Sequence, residues 1–429
     1  LLRMIAAGAA AHSDHGRDIA HTLLLTAQGK GGGYEIKDEA KLHALAAEYG
    51  IATEGRTKED IALDLARAAY AEFGNQEGPI LFTRRAPAKR VALWQTLGIE
   101  PRGVDREIVE SMHRTHIGVD NDPVNLILHG LRTSIADGWG GSMIATELSD
   151  VLFGTPRPVQ SQANLGVLKD DQVNIILHGH EPTLSEMIVA AAQDAEMLAL
   201  AQQQGAAGIN VAGMCCTGNE ILMRHGIPVA GNFLQQELAL ITGAVEAMIV
   251  DVQCVFPALP ELAACFHTKI ISTSPKAKFP GATHIEFHEE RAYEIAKGIV
   301  REAVLNYANR KAALVNIPRD KTECMVGFSV EAIVAALGGT LDPLLGAVKS
   351  GAIRGIAGVV GCNNPKVRHD YGHITLVKEL IKNDVLVVNT GCNAIACAKA
   401  GLLQPEAAEL AGAGLQGVCR ALGIPPVLH

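Results

Sequence analysis

The chain has 429 residues, enough for two or three domains, and a formal net charge of −9 that argues against nonspecific nucleic-acid binding. Hydrophobic residues make up 48% and aromatics only 4%, so the expected core is Ala-rich helices on Val/Ile strands. No apolar run is long enough to span a bilayer and no signal peptide is recognisable, although the chain begins at Leu1 rather than Met.

Residues 1–155 read as a helical domain. Ile19–Ala27, Asp38–Tyr49, Lys58–Phe73, Arg90–Leu97 and Asp105–Arg114 carry helical apolar spacing. GKGGG at Gly29–Gly33 lacks the flanking residues of a phosphate-binding loop and reads as a plain turn. His12, His15 and His21 fall in one stretch. At about 100° per residue the first two are neighbours and His21 lies half a turn from His12. They wind along a helix, so they cannot all hold one ion but can pass protons; the plain alternative is surface histidines. ADGWGGSM, with Asp137 and Trp139, reads as a Gly-rich loop beside a core.

From residue 156 the pattern alternates strand and helix. VNIILHGH, INVAGMCC, AMIVDVQC, IAGVVGC and VLVVNTGC are short, apolar and β-branched, as buried parallel strands are. Each ends in a metal-ligand residue type: His178 and His180, Cys215 and Cys216, Cys254, Cys362, Cys392. The gaps from His180 to Cys216, Cys216 to Cys254 and Cys362 to Cys392 each suit one strand–helix–strand unit of roughly 30 residues or more. Ligands far apart in sequence therefore return to one sheet edge, where open α/β folds bind. KIISTS is a further strand, and His284–Arg310 reads as mostly one long amphipathic helix. The helix after His180 is expected to start at Thr183, with Glu186 completing a capping box, and to stop at Gly205. Ser329–Leu337, Asp342–Lys349 and Asp370–Lys382 read as helices of a second α/β unit.

The expected fold is a multidomain α plus α/β protein. An N-terminal helical domain (1–155) precedes two Rossmann-like α/β domains with parallel sheets, at 156–311 and 312–429, the last incomplete.

All nine cysteines lie between Cys215 and Cys419 with no C-x-x-C pair, which excludes a disulfide scaffold and a local zinc ribbon. Of the adjacent thiols, Cys216 is preferred because it is nearer the following helix. His180 is preferred over His178 for the same reason, and Cys265, Cys324, Cys397 and Cys419 read as structural. One imidazole and four thiols exceed the needs of a tetrahedral zinc and suit a multi-metal, redox-active sulfur cluster in a cytoplasmic protein.

At these residues the chain resembles the nickel-dependent carbon monoxide dehydrogenases of anaerobes. The matching motifs are HGHEP at 178–182, GMCCTGNE at 213–220, DVQC at 251–254, GCNN at 361–364 and TGCNA at 390–394, with AAHSDHG and ADGWGGSM near the start. The resemblance implies reversible oxidation of carbon monoxide with water to carbon dioxide, two protons and two electrons at a nickel–iron–sulfur (Ni-4Fe-4S type) cluster. His180 and Cys216 would share one iron; Cys254, Cys362 and Cys392 would hold the other three. His12 would be the nearest base, tuned by Asp137, with His15 and His21 continuing a proton relay; Asp18 stands where the family usually has another histidine. The family's nickel-binding thiolate and catalytic lysine would lie beyond His429, and the cysteines of its additional 4Fe-4S clusters before Leu1. The chain is therefore expected to be a segment lacking both ends. A homodimer, a ferredoxin-type electron carrier and a link to acetyl-CoA synthase are also implied. Two alternatives stand beside this: a hybrid cluster protein reducing hydroxylamine, and a non-catalytic metal-cluster scaffold.

Overall fold

A computed structural model describes residues 1–429, which divide into two compact units, Leu1–Thr155 and Pro156–His429. The first is helical. Its longest helix, Leu2–Ala27, buries Ala9, Ile19 and Leu23 and packs on helices Lys58–Phe73 and Ser142–Phe153. Thr57 caps Lys58–Phe73 by accepting from Asp60 N at 3.2 Å, which fixes where that helix starts.

The ADGWGGSM stretch is not a loop. Helix Pro123–Ala136 runs through a π-helical turn, Asp137–Gly141, into Ser142–Phe153. Its glycines serve close packing: a Cβ on Gly141 would lie 3.2 Å from Ser13 N and 3.3 Å from His12 C. A π turn inside a helix often marks a functional position, because it redirects one side chain without ending the helix.

The second unit carries eleven strands: β1 (Val159–Ala163), β2 (Val173–Gly179), β3 (Ile209–Met214), β4 (Val229–Gly231), β5 (Val245–Val250), β6 (Lys269–Ser272), β7 (Thr283–His284), β8 (Thr322–Val326), β9 (Gly355–Val359), β10 (Val385–Asn389) and β11 (Val427–Leu428). Eight form one sheet in the order β7-β6-β5-β2-β3-β4-β1-β8, and three form a second in the order β11-β10-β9. The pairings are parallel except β1 with β8, which run antiparallel from Val159–Val326 to Ala163–Thr322. Thus β8, beyond residue 312, belongs to the first sheet. β2 and β5 are buried along their whole length, as strands covered on both faces must be.

The strand order fixes the site. From β2 the chain winds outward through β3 and β4, then returns to β5 on the other side of β2 and winds through β6 and β7. The reversal lies between β2 and β5, and the crevice beyond their carboxyl ends is the expected ligand position.

Two helix expectations are corrected. The helix after β2 starts at Pro182 with no side-chain cap, because Glu186 is buried and paired with His225 Nε2 at 2.8 and 2.9 Å instead. It ends at Ala192, and Asp194 then caps a separate helix, Ala195–Gln203, by accepting from Glu196 N at 2.8 Å. The helix expected from His284 begins only at Ala292, since His284 pairs in β7. No helix is long and apolar enough to cross a membrane.

Candidate metal centre

Five turns leave the carboxyl ends of β2, β3, β5, β9 and β10, and each presents one of the expected ligands. In all five, the residue just before the ligand has positive φ: Gly179 at 136°, Cys215 at 59°, Gln253 at 65°, Gly361 at 120° and Gly391 at 66°. Cys254 itself has φ 60°. For Cys215, Gln253 and Cys254 this conformation costs roughly 1–3 kcal/mol each, strain that persists only where the surroundings over-determine it. The shared device turns each chain sharply off its strand, so the next side chain meets the common rim.

The rim is assembled by register and by helix contacts. Gly179 bridges Cys215 in parallel, which sets His180 alongside Cys216. Cys216 lies in the first turn of helix Cys215–His225 and Cys392 in the first turn of Gly391–Lys399. Those two helices pack together, and Asn219 Nδ2 donates to Gly391 O at 3.1 Å. Both thiols therefore sit at positive helix ends, which favour sulfur anions.

The four expected thiols are close enough to feel one another. Burial pushes the Cys216 thiol well up, and the sulfurs of Cys392, Cys254 and Cys362 push it further. Burial also raises Cys362, the exposed member, with Cys392 and Cys254 adding to the effect. Cys215 joins them. Burial raises its thiol well above the usual range, and its single S–H lies within reach of the sulfurs of Cys254 and Cys392. The Cys215 S–H lowers Cys254, and it lowers Cys392 to about 7, where the backbone N–H groups of Asn363 and Phe233 also help. Cys216 remains the candidate ligand of the adjacent pair; the left-handed kink at Cys215 leaves that thiol also close to Cys254 and Cys392. Cys324, Cys397 and Cys419 are core residues packed among Ile395, Leu402 and Leu415, and Cys265 is exposed.

Three buried polar groups behind the rim escaped sequence reasoning. Gln236, fully buried, donates to Cys254 O at 3.0 Å while its Oε1 lies 3.1 Å from Phe256 N and 3.1 Å from His178 Nε2. Burial lowers His178 to about 4, so it is a neutral brace behind the ligands. Asp251 accepts from His180 N at 2.7 Å and from Thr217 Oγ1 at 2.7 Å, and burial lifts its carboxyl to about 6 against those bonds. Asp370 ties the Cys362 loop down: it accepts from Asn363 Nδ2 at 2.8 Å and pairs with Lys399 Nζ at 2.6 Å. Asp251 lies inside the quoted DVQC motif, the only signal that pointed to any of the three.

In the helical unit, His12 Nδ1 lies 2.7 Å from Asp137 Oδ1, which also accepts from Ser142 Oγ at 3.1 Å. That hydrogen bond raises the His12 pKa above its ordinary value. His15 and His21 lie on the same helix, Leu2–Ala27, both partly exposed.

The donor set fits a sulfur cluster. Five thiols lie close enough to influence one another, and the His180 turn is bridged to the Cys215 turn beside them. Beside two of the thiols, Asn219 Oδ1 and Asn393 Nδ2 are buried without hydrogen-bond partners. Soft thiolates in such number select iron–sulfur assemblies over a hard cation, and orphaned polar atoms are what a bound polar group would satisfy.

Comparison with known proteins agrees. The sequence pattern of the Prismane/CO dehydrogenase family matches residues 1–429. Carbon monoxide dehydrogenase 1 of Methanosarcina mazei is 69% identical over 429 residues, spanning all of this chain and 68% of the relative. Carbon monoxide dehydrogenase 1 of Methanosarcina acetivorans is 68% identical over the same length, again with 68% of the relative covered. Among solved structures, the as-isolated Ni-free carbon monoxide dehydrogenase from Thermococcus sp. AM4 superposes with a TM-score of 0.97 at 58% identity, covering 100% of this chain and 68% of that one. The chain belongs to the Prismane/CO dehydrogenase family.

Proposed function

We propose that this chain forms part of a carbon monoxide dehydrogenase, which oxidises carbon monoxide reversibly with water to carbon dioxide, two protons and two electrons. The observation that carries the reading is the convergence of His180, Cys216, Cys254, Cys362 and Cys392 on one rim, in a chain 69% identical to a protein of that name. When bound there, a nickel–iron–sulfur cluster supplies the binding of carbon monoxide, the activation of water and the storage of both electrons.

The chain's own residues hold and insulate that group. His180 and Cys216 would share one iron, and Cys254, Cys362 and Cys392 would hold the other three. The positive ends of helices Cys215–His225 and Gly391–Lys399 offset the anionic charge of the thiolates. His12 is the proposed base. Asp137 accepts from Nδ1–H, which fixes the tautomer and leaves the Nε2 lone pair to take a proton. His15 and His21 would pass the proton on along the same helix. A ferredoxin-type carrier would receive the electrons in a cytoplasmic homodimer. One relative, from Moorella thermoacetica, is named a carbon monoxide dehydrogenase/acetyl-CoA synthase subunit, so an acetyl-CoA synthase partner is a further proposal.

The test is metal analysis of the anaerobically purified protein that carries this chain, together with carbon monoxide-dependent reduction of a viologen dye. Iron with nickel and dye reduction are expected. Iron without nickel, and no oxidation after nickel loading, would move the assignment to a hybrid cluster protein. Both metals without turnover would leave a scaffold.

A further inference from the structure

Asp251 stands just past the end of β5, 5% exposed. Its carboxylate gathers donors from three of the five ligand-bearing turns. Oδ1 accepts from His180 N at 2.7 Å, in the turn after β2, and from Val252 N in its own turn toward Cys254. Oδ2 accepts from Glu181 N at 3.2 Å and from Thr217 Oγ1 at 2.7 Å, and Thr217 follows Cys216 in the helix after β3. All these donors are N–H or O–H groups and none is cationic, so an acceptor-only group is required. The backbone is shaped to admit it: a Cβ on Gly179 would lie 1.7 Å from Oδ1, so any side chain there would evict the carboxylate.

We propose that Asp251 is a positioning residue that locks the His180, Cys216 and Cys254 turns to one another, so that the rim is set before the cluster enters it. The proposal rests on the reading of this rim as a cluster site. The carboxylate touches no candidate ligand atom directly; it acts through the backbone of His180 and the hydroxyl beside Cys216. Asp251→Asn presents an NH2 where an acceptor is needed, mispairing at least one donor. Thr217→Val removes a single link and leaves the carboxylate in place, while Thr217→Ser keeps the hydroxyl.

The experiment uses the full anaerobically purified protein. Iron retained after graded chelator exposure, the paramagnetic resonance spectrum of the reduced protein and the thermal midpoint of the chelated protein are measured for each variant. Asp251→Asn should release iron at a chelator level about 10–100-fold lower than wild type, the usual cost of losing a group that orients ligands. Its spectrum should shift. Thr217→Val should move both readouts the same way by less, with Thr217→Ser restoring them and the thermal midpoint little changed. Wild-type retention and spectrum in Thr217→Val, or equal losses in Thr217→Ser, overturn the proposal even if Asp251→Asn fails to fold. A wild-type protein holding no iron overturns the cluster reading and this proposal together; iron in wild type with unaltered variants overturns this proposal alone.

Discussion

Strand β5 carries a buried acid at each end, and the two are treated in opposite ways. At the amino end, Glu246 is fully buried and met by the Arg310 guanidinium, Nε and Nη2 at 2.7 Å each, by the His267 ring at 2.8 Å and by Asn174 N at 2.6 Å. At the carboxyl end, Asp251 meets only neutral donors, and its neighbours are thiols that discourage charge on one another. The amino edge of the sheet is closed electrically by the protein itself. The carboxyl edge brings together anion-forming groups, helix amino ends and strained turns, an arrangement that metal cations complete.

The largest effect expected from this contrast is at Cys254. Cys254→Ala should strip iron from the protein and reduce carbon monoxide oxidation to background. The unfolding free energy of metal-free protein should fall by only about 1 kcal/mol, the usual net worth of the one hydrogen bond to Cys215 that is lost. Iron content equal to wild type would remove Cys254 from the ligand set. Glu246→Gln is the opposite experiment. Removing one partner of a buried, charge-paired group costs about 3–5 kcal/mol, so denaturant unfolding of the metal-free protein should show a loss of that order. Iron per folded protomer should stay the same. A loss below ~1 kcal/mol would mean that Arg310 and His267 do not sustain the amino edge as argued.

How much of this was readable beforehand depends on how local the physics is. β2, β3, β5, β9 and β10 declared themselves because buried parallel strands are nearly continuous apolar runs. The candidate ligands stand out in sequence because each run stops at a His or Cys. β1 and β8 were not: VQSQA and TECMV are half-buried and polar in alternation, and they become strands by pairing with each other across the chain. β4 has three residues, too few for any periodicity. The capping box at Thr183 failed because a distant residue, His225, competes for Glu186. Asp251, Gln236 and Asp370 are ordinary polar residues in sequence, and only the folded rim gives each of them several donors or acceptors at once. That Cys215 also lies near Cys254 and Cys392 could not be read from sequence, because it depends on the left-handed kink at that residue.

The smallest expected effect lies at His12 and concerns the shape of a pH profile rather than a loss of metal. The hydrogen bond to Asp137 favours the protonated imidazole and so raises its pKa in the folded state. The sign follows from linkage. The stabilising contribution is complete below the unfolded-state value of an ordinary histidine, and it is lost as pH rises through the higher folded-state value. As a base, however, the ring works only when deprotonated, so the acid limb of turnover should sit at that raised value. Asp137→Asn removes the carboxylate charge and should move the limb to lower pH. The His12 ring resonance, followed by NMR titration, should move in the same direction, and iron and nickel content should be unchanged. If the ring titration moves and the kinetic limb does not, His12 is not the base. If neither moves, Asp137 does not set the pKa. Loss of metal in the variant would instead make the pair structural, a helical counterpart of the paired edge at Glu246 rather than part of the proton path.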